Sequence, residues 1–181
     1  MLLNALKSML GLGSNYHSAA TLYTVLVTQA RSPEFYTALG VEDSIRGRFD
    51  MILLHMHLLT TTLEERGPKG TEMSRSLQEI MVNDLDRSLR EMGVGDMSVG
   101  KKMKDLAGAW FGRRLAYDEA KTLETYAAAI ARNVYESEDV TAAAHALARY
   151  GQECLRTLSG LHDADLFKAK LTFAPIVVSQ A

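Results

Sequence analysis

Apolar residues recur at steps of three and four along most of the chain, the spacing that places them on one face of an α-helix. The first predicted helix covers residues 18–31. Ser32, as an N-cap, and Pro33, at the first helical position, then open a short helix that Gly40 ends. The stripe of the first helix consists of Tyr23, Leu26, Val27 and Ala30.

Two longer helices are predicted next. The earlier one is capped by Asp43 or Ser44 and ends near residues 66–68, where Arg, Gly and Pro follow one another. Residues 67–71 read as a polar, flexible loop, and the later helix covers residues 73–92. The apolar stripe of the earlier helix consists of Phe49, Ile52, Leu53, Met56, Leu59 and Leu63.

The second half of the chain continues in the same way. Val99, Met103, Leu106 and Trp110 mark a helix that ends near Gly112. Further helices are predicted over residues 115–135, 139–158 and 163–170. The pattern therefore predicts an all-α fold, with seven or eight helices in one bundle-like domain over residues 18–181.

Residues 1–17 form a separate N-terminal amphipathic segment in this prediction. Its apolar run lacks the basic start of a signal or transit peptide and is too short to span a membrane. Two alternatives stay open, packing on the body of the protein or contact with a membrane interface or a client. The apolar positions are Leu2, Leu3, Leu6, Met9 and Leu10.

Composition reduces the number of function classes that fit the chain. The 181 residues carry a formal net charge of −2, which does not indicate DNA or another polyanion as a partner. The single cysteine, Cys154, excludes an intrachain disulfide framework and suits a reducing compartment. His55 and His57 lie two residues apart on a helix and cannot reach one ion. We therefore expect no metal, no cofactor and no enzymatic activity.

The stretch from Gly95 to Lys101 matches G-x-x-x-x-G-K, the start of a phosphate-binding loop. Such a loop needs a preceding β-strand and a following Ser or Thr, whereas a helix precedes it here and Lys102 follows. A helix–loop–helix corner explains the stretch better, with Gly93 ending one helix and Asp96 or Ser98 capping the next. A nucleotide-binding regulator or a generic helical adaptor that uses this loop is kept as the alternative function.

Three blocks of residues resemble the ubiquinol–cytochrome c chaperone family. The first reads Leu89-Arg90-Glu91-Met92-Gly93-Val94-Gly95-Asp96, with Asp84 and Asp86 before it and Val99-Gly100-Lys101-Lys102-Met103-Lys104 after it. The second runs from Ala30 and Arg31 through Pro33, Phe35, Tyr36 and Gly47-Arg48-Phe49-Asp50 to Leu54-His55. A weaker third block joins Gly112-Arg113 to Ala116-Tyr117-Asp118. The resemblance is strongest over residues 20–135.

This resemblance implies a non-enzymatic assembly chaperone that binds newly made cytochrome b while the ubiquinol–cytochrome c reductase complex (respiratory complex III) is built. It implies apocytochrome b as the client. It also suggests contact with a small helical partner protein, the ribosome or the inner-membrane surface. The absence of a transit peptide favours a bacterial-type member, cytoplasmic and peripheral at the inner membrane.

The candidate binding residues lie in the first two blocks, which we expect to be side by side and rich in charge and glycine. Asp84 falls on the apolar side of its helix, so a buried ion pair with Arg31 or Arg48 is predicted. Lys101 and Lys104, together with Arg113 and Arg114, are predicted to form a basic side of the fifth helix. The proposed client or partner contacts are Arg31, Tyr36, Arg48, Asp50, Arg90, Gly93, Gly95, Asp96, Met97, Lys101 and Lys104.

Overall fold

A computed structural model of the chain describes residues 12–177 and confirms the all-α class, with no strand in that range. Residues 1–11, which hold the apolar positions of the predicted N-terminal segment, lie outside it. Residues 12–17 belong to the first helix rather than to a separate segment. The helices are α1 (Leu12–Ala30), α2 (Pro33–Thr37), α3 (Ile45–Glu64), α4 (Gly67–Glu91), α5 (Asp96–Glu119), α6 (Leu123–Val134), α7 (Ala142–Ser159) and α8 (Asp163–Leu166).

Helix α3 is the centre of the fold. Every residue from Met51 to Thr60 is buried, because α1, α4, α5, α6 and α7 all pack against this helix. Its buried hydroxyls are satisfied within the helix: the Thr60 hydroxyl donates to the Met56 carbonyl oxygen at 2.8 Å. The middle of α3 is therefore buried on every side, as in a core helix.

The predicted start of α3 is confirmed. Gly40 has φ of +65°, which ends the α2 segment, and the Ser44 hydroxyl accepts a hydrogen bond from the Gly47 amide at 3.1 Å. A Cβ at Gly47 would overlap the Glu42 carbonyl oxygen, so glycine lets this loop lie directly on the first turn of α3.

The predicted loop over residues 67–71 is wrong, because α4 already begins at Gly67. Pro68 occupies the first turn, where its missing N–H costs nothing. Only Glu65 and Arg66 join the two helices. The Arg66 guanidinium donates to the Ser159 carbonyl oxygen at 2.7 Å and so satisfies the end of α7.

The predicted boundary near Gly112 is also wrong. Helix α5 starts at Asp96, three residues earlier than predicted, and runs to Glu119 through Gly100, Gly108 and Gly112. The interruption lies at Ala120–Thr122, where the Thr122 side chain caps α6. Glycine within an exposed helix lowers stability only by about 1 kcal/mol, which the packing of α5 on the core overcomes.

Within the described residues, no helix combines the length and the hydrophobicity that a membrane-spanning segment requires.

Candidate functional site

An open groove lies between the first half of α3, the second half of α4 and the middle of α5. It encloses about 540 Å³. Its apolar lining comes from all three helices and consists of Ile45, Phe49, Ile52, Leu85, Leu89, Met92 and Leu106. We call this feature the α3–α4 groove.

The apolar stripe of α3 runs from the core out into this groove. Ile52 is buried, Phe49 is half-buried and Ile45 is 74% exposed, although the three lie on one helical face. Met92 is exposed at the opposite edge. Contiguous exposed apolar surface of this kind marks interaction sites in soluble proteins. The sequence argument missed Ile45, yet its spacing of four from Phe49 was the signal that could have found it.

Three arginines rim the groove. Arg48 donates to the Asp43 carboxylate at 2.7 Å, and this hydrogen bond lowers the pKa of Asp43. Arg46 pairs with Glu136. Among the described residues, Arg31 has no carboxylate within ion-pair distance. Its guanidinium is therefore available to an incoming acidic group.

Asp84 lies on the α4 wall of the groove, but its predicted partners are wrong. It accepts a hydrogen bond from the Tyr23 hydroxyl at 3.0 Å and pairs with Arg87, one turn further along α4. The carboxylate is half-buried rather than buried. A helical wheel of α4 alone contains no information about Tyr23, because that residue comes from α1.

Asp50 is the buried acid and, unlike Arg48, the other expected client contact on α3, it is not on the exposed surface. Its side chain is 1% exposed and lies 2.6 Å from the Arg113 guanidinium. Arg114 in turn pairs with Glu64 at 3.2 Å. The predicted basic side of α5 therefore loses both arginines, because they hold α5 against α3 instead of facing solvent.

The connection between α4 and α5 is a clamped corner. Gly93 has φ of +80° and closes α4, as predicted, while Gly95 rather than Asp96 or Ser98 is the N-cap of α5. Arg90 donates to Asp86 at 2.7 Å and also pairs with Asp96, so it joins the two helices. Met97 is 100% exposed just beyond this corner.

The corner does not have the geometry of a phosphate loop. Residues 96–101 are already helical, so their backbone amides do not form the open cradle that a phosphate loop needs. Helix α4, and not a strand, precedes the corner. The alternative of a nucleotide site at Gly95–Lys101 therefore has no support in the backbone.

The predicted binding residues separate into two surfaces. Arg31 and Arg48 lie at the groove, and the Tyr36 hydroxyl donates to the Ala30 carbonyl oxygen at 2.7 Å beside it. Lys101 and Lys104 do not line the groove, because they lie on the side of α5 opposite Val99 and Trp110, which are buried. The two sequence blocks therefore approach each other only through α4 and Met92, the residue that follows it.

Three buried titratable groups, His55, His57 and Cys154, do not line the groove. His55 contacts the Met51 carbonyl oxygen at 2.7 Å and the Tyr150 hydroxyl at 2.8 Å, whereas His57 faces Asp118 on the other side of α3. Burial lowers the pKa of each histidine to about 4. Burial also raises the pKa of the Cys154 thiol to about 11, so this cysteine is not an activated nucleophile.

An all-α domain with an open apolar groove is typical of a binding protein. The sequence profile of the ubiquinol–cytochrome C chaperone family matches residues 37–173, and the chain belongs to this family. This is a family of chaperones.

Relatives and a solved structure agree with this assignment. The chain is similar to the ubiquinol–cytochrome-c reductase complex assembly factor 1 of Xenopus laevis, at 22% identity over 91% of this chain and 84% of that protein. The mouse assembly factor 1 is 26% identical over 56% of this chain, and the match spans only 35% of the mouse protein. The crystal structure of the Cbp3 homolog from Brucella abortus has a TM-score of 0.81 and 29% identity, with 97% of this chain and 98% of that chain covered.

Proposed function

We propose that this protein is a non-enzymatic assembly factor for respiratory complex III that holds newly made cytochrome b before it is incorporated. Membership of the chaperone family supports the general role, as do the names of the similar assembly factors. The α3–α4 groove, with its apolar lining and exposed Ile45 and Met92, is the observation that carries the proposed mode of binding.

The groove suits one helical segment of an apolar client. A membrane protein that has not yet inserted exposes helices that are apolar on every side, and such a helix gains stability by covering one face in a hydrophobic groove. Phe49, Leu85 and Leu89 form the floor that would contact it. The flexible thioether of Met92 at the edge can adapt to clients with different side chains.

The charged rim supplies orientation rather than affinity. Arg31 is free to meet a carboxylate at one end of the bound segment, whereas Arg48 is already paired with Asp43. The corner at Gly93, Gly95 and Asp96, held by Arg90, places Met97 beyond the end of the groove. We propose that this corner forms the second contact with the client.

This proposal locates the protein at the cytoplasmic face of the inner membrane, where its client is made and inserted. Contact with the ribosome, with the membrane surface or with a small helical partner protein would bring it there. A generic helical adaptor remains the second class of function, and complex III assembly distinguishes the two classes.

The test compares groove and control variants in cells whose own copy of the gene is deleted. Ile45→Glu and Met92→Glu, alone and together, should reduce assembled complex III and the cytochrome b absorbance, while the purified variants keep their melting temperature. Val140→Glu changes an apolar side chain that is exposed but lies away from the groove, so it should support normal assembly. Normal assembly by the folded groove double variant would remove the groove from the mechanism. Normal assembly without the gene would remove the function itself.

A further inference from the structure

The outward side of α5 is not the polar surface expected of a solvent-facing helix. Six exposed residues succeed one another at alternating steps of four and three, the spacing of a coiled-coil seam. They are Met97, Lys101, Lys104, Gly108, Phe111 and Leu115. Met97, Phe111 and Leu115 are among the most exposed large apolar side chains of residues 16–177. We call this surface the outer face of α5.

The charges on this face are arranged against the helix dipole. Lys101 and Lys104 lie towards the start of α5, whereas its last turn carries Asp118 and Glu119 and no basic residue. Across the part of the chain that the structure describes, Lys101, Lys104 and Glu119 have no ion-pair partner. A second helix that runs in the opposite direction would complement both the free charges and the dipole.

The glycines of α5 fix the register of such a helix. A Cβ at Gly108 or Gly112 would meet nothing within 4 Å, so both glycines leave open space on the outward side. If Gly108 of one copy lies against Gly112 of another in an antiparallel pair, Lys101 lies opposite Glu119, because the two pairs share one midpoint in the sequence. The same arrangement lets Phe111 of each copy pack over the glycines of the other.

We propose that the outer face of α5 binds a second copy of this chain, with the two α5 helices antiparallel and Gly108 against Gly112. Charge complementarity argues for this partner over an anionic membrane, because Glu119 and Asp118 would repel anionic lipid at one end of the face. The inference goes beyond the proposed function, since the groove lies on the other side of α5 and stays open in such a pair, and only Met97 belongs both to this face and to the proposed corner contact. One helix pair buries less than the ~1,200 Å² of a standard interface, so a weak dimer with a Kd of roughly 10–100 µM is expected.

Sedimentation equilibrium of the purified chain over a range of concentrations tests the proposal. Lys101→Glu and Glu119→Lys should each raise the dimer Kd about fivefold to tenfold, because each puts like charges opposite each other twice per dimer. The double variant should return the Kd to within about twofold of the wild-type value, because it restores both pairs with reversed sign. Leu115→Glu should abolish the dimer.

Matched controls make each outcome decisive. Lys102→Glu alters an equally exposed lysine beside the seam and should change the Kd by less than about twofold. Removal of residues 1–11 should also leave the Kd unchanged. A change of the Kd in either direction would mean that this segment, and not a second copy, covers the outer face of α5, and would overturn the proposal. A chain that stays monomeric at every concentration also overturns the proposal. So does a double variant whose dimer Kd is as high as those of the two single variants.

Discussion

The carboxylate of Asp50 and the guanidinium of Arg113 lie 2.6 Å apart, with both side chains almost fully removed from solvent. This ion pair joins the first half of α3 to α5. Arg46 approaches the same carboxylate from the surface, at 3.6 Å. Burial nevertheless raises the pKa of Asp50, because the cost of desolvation exceeds the attraction of the two arginines. The pair holds α5 in the position from which Leu106 reaches the groove.

Asp50→Ala should therefore lower the free energy of unfolding by about 3–5 kcal/mol, because Arg113 is left buried without a partner. Urea titration followed by the fluorescence of Trp110, the only tryptophan, measures this loss. Asp86→Ala is the matched control, since Asp86 forms an exposed pair on α4 and should change stability far less. Equal and small losses in the two variants would mean that Arg113 finds water or another acceptor.

The contrast between Asp50 and Asp84 shows which features of the structure could be predicted from the sequence. The sequence pattern correctly predicted an all-α fold, a cap at Asp43 or Ser44, of which Ser44 is the cap, and the corner at Gly93, because these features depend on residues close together in sequence. The periodicity selected Asp84 as the buried acid, because a helical wheel shows the residues of one helix and not the neighbouring helices that cover them. The burial of Asp50 depends on α5, which is distant in sequence and supplies Arg113. The groove was missed for the same reason, since three separate helices contribute to it.

Gly70→Ala should destabilise the protein by at least about 2 kcal/mol, because its Cβ would overlap the Leu63 carbonyl oxygen at the tight junction of α3 and α4. Gly100→Ala, in which the new Cβ meets nothing within 4 Å, should instead stabilise α5 by about 0.5–1 kcal/mol. Thermal unfolding of the two variants and the wild type provides the measurement. A neutral Gly70→Ala would show that the junction can move apart without loss of packing.

The stability of the protein should fall as the pH drops from 7 to 5. His55 and His57 have pKa values of about 4 in the folded state because of burial, against about 6.5 when unfolded, so the unfolded chain binds more protons in this window. Each histidine should contribute a loss of about 2 kcal/mol between pH 7 and pH 5. The raised pKa of Asp50 acts in the opposite direction and offsets part of the loss at the acidic end.

Urea titrations at pH 7, 6 and 5 check this dependence. His57→Gln should make the dependence shallower by removing one titrating group. A stability that is flat over this range would show that the two rings are protonated in the folded state.

The tip of the α4–α5 hairpin should open more easily than the core. Between Arg90 and Ala109, Val99 is the only buried residue, whereas ten consecutive residues of α3 from Met51 onwards are buried. Local opening is easiest where few apolar contacts must break.

In native-state hydrogen exchange, amides of the first three turns of α5 should therefore exchange at free energies well below that of global unfolding. The amides of α3 should exchange at the free energy of global unfolding. Val99→Ala should accelerate exchange at the tip with little change around Met56. Equal protection of the tip and α3 would mean that the hairpin opens only when the whole domain unfolds, and the Gly93 corner would then be a rigid part of the client surface.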